Sequence, residues 1–330
     1  MSINVSIVIP TFRRQALLFR CLEALAGQDF DPGRFEVIVV SDGPDADLEG
    51  MMEAANDGSP SFRYLSLKEK KGPAAARNLG WKHALGELIL FTDDDCVPGK
   101  NWASAYWSAY KQYQRESPVF DGQVVFRGPV FVPCPPQPTD HEKNTTGLQL
   151  AEFVTANCAC PAAVLEKTGG FDEAFTMAWR EDSDLQFRFI ELGIPILTVA
   201  EARITHPVRK APWGISLKEQ KKSLFNALLY KRHPVLFRRR IYRHPFWNYY
   251  MIVLLLLAAL VSAAFDQPAA ALIAGAGWLA LTLDFTRRRL RGTSRTLSHV
   301  MEMFVTSLLI PFLSIFWTIY GAIRYKTFFL

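Results

Sequence analysis

Cysteine is scarce and odd in number, five among 330 residues. That excludes a disulfide-stapled secreted scaffold and fits a reducing compartment. Cys158-Ala-Cys160 lacks a zinc spacing and finds no matching pair, so the cysteines read as small packing residues. No G-x-G-x-x-G follows the first apolar segment, which disfavours a dehydrogenase-type dinucleotide fold, and no P-loop is present. Met1-Ser-Ile-Asn4 runs straight into the apolar segment Val5–Ile9, so no secretory leader is expected. Residues 1–240 read as a soluble α/β region of mixed charge, without the apolar runs, long enough to cross or line a bilayer, that dominate 246–323.

What is present centres on Leu90-Phe-Thr-Asp-Asp-Asp-Cys96. The preceding Glu87–Phe91 is a short apolar run with little alternation, the pattern of a buried parallel strand. Three carboxylates then stand at its C-terminal edge, where open α/β sheets bind ligands. Clustered Asp oxygens there are hard ligands of the kind Mg²⁺ or Mn²⁺ prefers, and a metal bridging phosphate oxygens is the natural occupant. A solvated acidic loop capping the next helix is the bland alternative.

Upstream, Ser6–Pro10 reads as a strand, Gln15–Gly27 as a helix and Arg34–Val40 as a second strand ending in Ser41-Asp42-Gly43. This is a right-handed βαβ unit whose two strand ends lie side by side. Asp42 there either hydrogen-bonds a base or ribose or serves only as a turn residue before glycine. Phe62–Leu67 is a third strand, and Gly72-Pro73 opens a helix running to Leu85. That helix N-terminus and Arg77 would suit a diphosphate. Trp102–Gln114 reads as an aromatic-rich helix, Phe120–Val132 contains strand-like material, and the proline-rich Pro133–Asp140 is a surface loop.

Val8-Ile-Pro10-Thr-Phe, Val39-Val-Ser-Asp42-Gly43, Gly72-Pro-Ala-Ala-Ala-Arg77-Asn78 and Phe91-Thr-Asp-Asp-Asp95 resemble, in order and spacing, the inverting glycosyltransferase family 2. Gly169-Gly-Phe-Asp-Glu173 and Trp179-Arg-Glu181-Asp182-Ser-Asp184-Leu185 extend the likeness over roughly residues 3–210. The resemblance implies an α/β GT-A nucleotide-sugar-binding domain of mixed, mostly parallel sheet flanked by helices. It implies Asp93 near the ribose, Asp95 on a Mg²⁺ or Mn²⁺ ion, and Asp94 between them as a further donor-site acid. Asp42 would contact the base, Pro10 and Thr11 line its pocket, and Arg77 lie near the nucleotide. Asp182 matches the catalytic base, and Glu181 would position the acceptor or the loop. Asn157 either faces the donor sugar or caps a turn. His206 either completes the metal shell or plays a structural, phosphate-adjacent part after an edge strand. The Gln-x-x-Arg-Trp of polymerising synthases is missing, since Gln220-Lys-Lys-Ser-Leu224 lacks its Arg and Trp; one sugar per encounter is therefore expected.

Two domains are expected: the transferase domain over 1–240 and a helical membrane region over 241–330. Phe246–Phe265 and Pro268–Phe285 form a hairpin flanked by Arg238, Arg239, Arg240 and Arg243 on one side and Arg287, Arg288, Arg289, Arg291 and Arg295 on the other. Basic clusters at both ends place both ends, and the catalytic domain, on the cytoplasmic face of the cell membrane. Val300–Ile323, interrupted by Pro311, is expected to form interfacial or re-entrant helices. The basic stretch Lys218–Arg243 would lie along lipid headgroups. A transferase site held there takes a nucleotide-sugar donor and a lipid-linked or glycolipid acceptor, with no nucleic-acid partner. Two rivals are a membrane-anchored nucleotidyltransferase, which gives Glu181-Asp182 no work, and a degenerate domain acting as a binding module, which predicts loss of one acidic site.

Overall fold

The computed structural model describes residues 2–55, 60–117 and 123–329. Ten strands and thirteen α-helices are described. The strands are β1 (Val5–Thr11), β2 (Phe35–Ser41), β3 (Ser61–Ser66), β4 (Leu88–Phe91), β5 (Val97–Pro98), β6 (Val125–Arg127), β7 (Val130–Phe131), β8 (Cys158–Pro161), β9 (Ile196–Thr198) and β10 (Ile204–Thr205). The chain divides into two compact units: residues 1–133 with 147–207, and residues 134–146 with 208–330.

The first unit is built on a seven-stranded sheet in the order β3-β2-β1-β4-β8-β6-β9. β1 runs parallel to β2 with Thr11 level with Ser41, and parallel to β4 with Val8 level with Phe91. β8 runs antiparallel to both β4 and β6. Every residue of β1, β2 and β4 is buried, which is why these strands read as unbroken apolar runs rather than alternating ones. Helices α1 (Gln15–Ala26), α2 (Ala46–Ala55), α3 (Pro73–Lys82) and α4 (Trp102–Glu116) connect these strands. α3 ends three residues before Leu85, whose N–H instead donates to the buried Glu36 carboxylate at 2.7 Å. The order and pairing are those of a GT-A domain, and its ligand edge carries Thr11, Asp42 and the Asp93–Asp95 run.

A second, three-stranded sheet has the order β5-β10-β7. β10 is therefore its central strand rather than an edge strand as expected; two residues long, it pairs antiparallel with β5 and parallel with β7. Of the strand-like reading over Phe120–Val132, residues 120–122 lie outside the described ones, and β6 and β7 account for part of the rest.

The second unit contains α5 (Asp140–Thr145), then, after α6 (Ala162–Thr168) and α7 (Glu181–Glu191) of the first unit, α8 (Ile215–Glu219), α9 (Leu224–Arg232), α10 (Pro234–Arg240), α11 (Trp247–Ala264), α12 (Pro268–Arg289) and α13 (Leu297–Arg324). Residues 133–139 form no helix or strand, as expected of the proline-rich segment, and α5 starts at its last residue, Asp140, from a capping box in which Thr139 and Glu142 exchange hydrogen bonds. The partition differs from a boundary at 240 because α9 packs on α13. A Cβ on Gly321 would lie 2.5 Å from the Leu224 carbonyl, so only glycine allows that approach.

α11, α12 and α13 are long and apolar enough to cross a membrane, with mean hydropathy of 1.8, 1.5 and 1.8. α13 corrects the expected break at Pro311: it is one continuous helix of 28 residues, about 42 Å at 1.5 Å per residue. Proline removes one backbone donor from a helix, and a buried packing environment compensates it; Ile310, Pro311 and Ser314 are all buried.

Candidate active site

The three acids after β4 do three different things. Asp94 turns inward. Its carboxylate accepts from Thr11 Oγ1 at 2.8 Å and from Arg14 Nη1 at 3.2 Å, and only 2% of the residue is exposed. Burial raises its pKa, against the pull of Arg14 and Thr11. Asp94 thus ties β1 to the acidic turn, with its carboxylate engaged by Thr11 and Arg14. Thr11 is likewise engaged in that bond, and Pro10 is buried within β1.

Asp93 is the most open of the three, its side chain 29% exposed. Its Oδ1 accepts from Arg77 Nη2 at 2.7 Å, while Arg77 Nη1 reaches Glu181 Oε1 at 3.3 Å. Arg77 is 2% exposed, so it is a buried clamp between two carboxylates rather than a surface cation presented to a diphosphate. Burial alone would lower the guanidinium pKa, yet Asp93 and Glu181 raise it above its ordinary value. The clamp joins positions 104 residues apart, bringing the strand-end acids and the start of α7 into one site.

α7 begins abruptly. Arg180 has a φ of 78°, a left-handed conformation that is strained for a residue with a side chain. Its strain turns the chain so that Glu181 enters the buried interior and Asp182 stays half-buried at the helix start. Asp182 Oδ1 accepts from the Ser183 N–H at 2.6 Å and from Ser183 Oγ at 3.3 Å. Burial raises the Asp182 pKa, opposed by those bonds and by Arg180 and Arg77. Glu181 is raised as well, by burial and then by the neighbouring Asp182 carboxylate. A more basic carboxylate at the mouth of the site is what proton abstraction requires.

The turn leading to that helix is held by Asn78, a residue whose role the sequence did not disclose. Its amide donates to Phe171 O at 2.9 Å and to Glu173 Oε1 at 2.8 Å, while its oxygen accepts from the Phe171 N–H and Trp81 Nε1. Gly170, at φ 70°, is close beside: a Cβ there would come within 2.5 Å of Asn78 Oδ1 and Trp81 Nε1. At the opposite lip, Asp42 Oδ1 accepts from the N–H groups of Lys71 and Gly72 at 2.7 and 2.8 Å. Asp42 therefore organises the loop before α3, and Lys70 Nζ stands 3.6 Å above the Phe12 ring.

Asp95 and His206 come together. Asp95 Oδ1 lies 3.5 Å from His206 Nε2, both residues are buried, and His206 Nδ1 has no hydrogen-bond partner among the described residues. A carboxylate oxygen beside an imidazole nitrogen is a donor set that would suit a divalent cation. Cys96 stands within 4.8 Å of both. Burial pushes its thiol well above the usual range, and a soft sulfur is a poor match for Mg²⁺ or Mn²⁺, which prefer oxygen donors.

Asn157 is fully buried, its amide donating to the Pro129 and Ala202 carbonyls at 2.9 and 2.8 Å, its oxygen accepting from Trp102 Nε1 and Tyr106 OH, each at 2.7 Å. All four hydrogen-bonding positions are filled, so it neither faces a sugar nor caps a turn but locks α4 to the sheet. Asn157→Ala is expected to destabilise the domain by roughly 3–5 kcal/mol, because it strands several buried polar groups. Thermal unfolding of the full chain checks this, and nucleotide affinity measured below the transition should be unchanged.

Comparison with known proteins agrees with this geometry. Residues 6–169 match the family model for glycosyl transferase family 2. Among curated relatives, the validoxylamine A glucosyltransferase of Streptomyces hygroscopicus subsp. limoneus is 28% identical over 66% of this chain and 52% of its own length. A GalNAc(5)-diNAcBac-PP-undecaprenol beta-1,3-glucosyltransferase from Campylobacter jejuni is 33% identical over 28% of this chain and 29% of its own. The matched region thus spans about half or less of these relatives. Among solved structures, the mannosyltransferase PcManGT from Pyrobaculum calidifontis, in complex with GDP-Man and Mn²⁺, aligns with 93% of this chain and 88% of its own. Its TM-score is 0.57 at 19% identity, a likeness of fold.

Proposed function

The chain belongs to glycosyl transferase family 2, and from that premise we propose that it is an inverting glycosyltransferase moving one sugar from a nucleotide-sugar donor to a lipid-linked acceptor at the cytoplasmic membrane face. The observation that carries the reading is the Arg77 clamp, which brings Asp93 and Glu181 together. A nucleotidyltransferase would need no base at the start of α7, and a degenerate binding module would not keep both acidic groups.

Asp42 and its loop shape the base end of the pocket, and Asp93 is the open acid that meets the ribose. Asp95 and His206 would hold a divalent cation, which when bound neutralises charge on the departing nucleoside diphosphate. With Asp182 Oδ1 held by Ser183, Oδ2 takes the proton from an acceptor hydroxyl. That oxygen bonds to the anomeric carbon from the face opposite the diphosphate, whose bond to carbon breaks, and the configuration inverts. Glu181, fixed by Arg77, sets where Asp182 stands. The lipid acceptor is supported by the three apolar helices, and the arginine-rich flanks of the α11–α12 hairpin support the cytoplasmic side by the excess of basic residues that cytoplasmic segments carry. The name of the Campylobacter relative, a glucosyltransferase acting on an undecaprenol-linked glycan, supports the same reading.

The deciding assay offers the detergent-purified chain UDP-glucose, UDP-N-acetylglucosamine, UDP-galactose and GDP-mannose with Mn²⁺, with and without extracted membrane lipid. Release of nucleoside diphosphate from one donor, raised by lipid, is the expected result; no release from any donor despite nucleotide binding would overturn the reading. EDTA is expected to abolish release and excess Mn²⁺ or Mg²⁺ to restore it. His206→Ala should raise the metal concentration needed for half-maximal rate by about tenfold or more, a loss of about 1.4 kcal/mol in metal binding.

A further inference from the structure

Within the second unit, a cavity of about 580 Å³ opens where the first turn of α11 meets the last turn of α12 and α5. That volume is in the range of small-molecule sites. Its apolar wall is aromatic: the Tyr249 and Phe285 rings pack edge to face at 5.3 Å, and Trp247 beside them is 63% exposed. Its polar wall carries Lys143 and Arg288. Beyond the cavity, the hairpin exposes Leu254, Leu257, Leu260, Leu272 and Leu279, the surface that acyl chains cover. Aromatic rings and cations at one end of such a hairpin mark the level of lipid headgroups.

The charge on this wall is specific. Asp140 also lines the cavity, but Arg289 cancels it at 2.8 Å in a nearly buried pair. Arg289 is further fixed by Ser216, Thr306 and Ser307, so it braces the wall. Lys143 and Arg288 are left as the cations that can turn to a ligand. Lys143 donates to the Arg291 carbonyl and retains further N–H donors. Arg288 is 41% exposed, pairs with Asp284 at 3.2 Å, and lies beside the Asn248 amide, whose oxygen can accept from it at 3.2 and 3.3 Å. A planar guanidinium and an ammonium facing one cavity form a seat for phosphate oxygens.

We propose that this cavity binds the phosphate headgroup of a membrane lipid, with Lys143 and Arg288 holding the phosphate and Trp247, Tyr249 and Phe285 bordering the first carbons of the chain. The inference extends the lipid-acceptor reading, because a polyprenyl phosphate and an anionic phospholipid offer the same group to this wall. Lipid retention and sugar transfer are read separately, so each can fail alone.

The test uses the full chain in neutral detergent, with native mass spectrometry counting bound lipid. The probes are geranylgeranyl phosphate, geranylgeraniol, dioleoylphosphatidylglycerol and dioleoylphosphatidylcholine. Wild type is expected to bind geranylgeranyl phosphate at least about tenfold more tightly than geranylgeraniol. K143A/R288A should lose that preference, K143R/R288K should recover it, and all should bind nucleoside diphosphate as wild type does. Preference for geranylgeranyl phosphate over phosphatidylglycerol identifies an acceptor-type seat, and equal binding of the two identifies a phospholipid seat. Equal binding of phosphate and alcohol, or K143A/R288A unchanged while still binding nucleotide, overturns the proposal. Transfer to lipid by that unchanged variant would leave the transferase reading standing.

Discussion

Asp182→Asn is expected to lower turnover by about 10²–10⁴-fold, the usual worth of a positioned general base. Donor affinity should stay within about twofold, since the amide keeps the side chain's shape and the Ser183 N–H can still reach its oxygen. The loss should appear in kcat and in kcat/KM alike, as for an interaction made only in the transition state. A pH profile sharpens the test. The base works only when deprotonated, so the wild-type rate falls as pH drops through the Asp182 pKa. Because burial raises that pKa, the acid limb should stand above the ordinary aspartate range. Asp182→Asn should lose the limb along with the rate; transfer by this variant at near wild-type turnover would remove Asp182 from the role of base.

The parts of the site legible in the sequence were those with a local signature. β1, β2 and β4 announced themselves as continuous apolar runs because both their faces are buried. The acids followed at the strand end, and family resemblance supplied their expected roles. Orientation was not legible. Three consecutive aspartates look alike on paper, yet one is drawn inward by Thr11 and Arg14, one opens to the pocket and one turns to His206. Arg77 and Asn157 show the same limit: each has long-range partners that no spacing reveals, Glu181 for the first and Trp102 and Tyr106 for the second. The start of α5 is legible in the capping-box spacing of Thr139 and Glu142, which ends the irregular proline-rich segment before it. The continuity of α13 through Pro311 depends on packing partners distant in sequence, which a local rule for proline omits.

Arg77→Met tests the clamp and should have a large effect on stability. Removing one partner of a buried ion pair typically costs about 3–5 kcal/mol, because the remaining charge is left without compensation. For a domain of this size that corresponds to a fall in Tm of about 6–20 °C. The deficit should depend on pH in a definite sense. The Glu181 carboxyl is pushed up to about 7 in the folded chain, by burial and then by Asp182, although Arg77 pulls it down. Without Arg77 it rises further. A carboxyl whose folded pKa exceeds its unfolded value binds its proton more tightly when folded, so its contribution is most favourable at low pH and is lost as pH rises through that pKa. The deficit of Arg77→Met relative to wild type should therefore be small near pH 5 and grow toward pH 8. Arg77→Met combined with Glu181→Gln should recover part of the loss, since it removes the carboxylate that Arg77→Met strands in the interior, while Asp93, 29% exposed, can be hydrated in its place. Recovery of Tm without recovery of transfer would separate the two duties of the pair. Holding the domain together needs only matched partners, whereas setting Asp182 against an acceptor needs the charge of Glu181 and the arginine that fixes it.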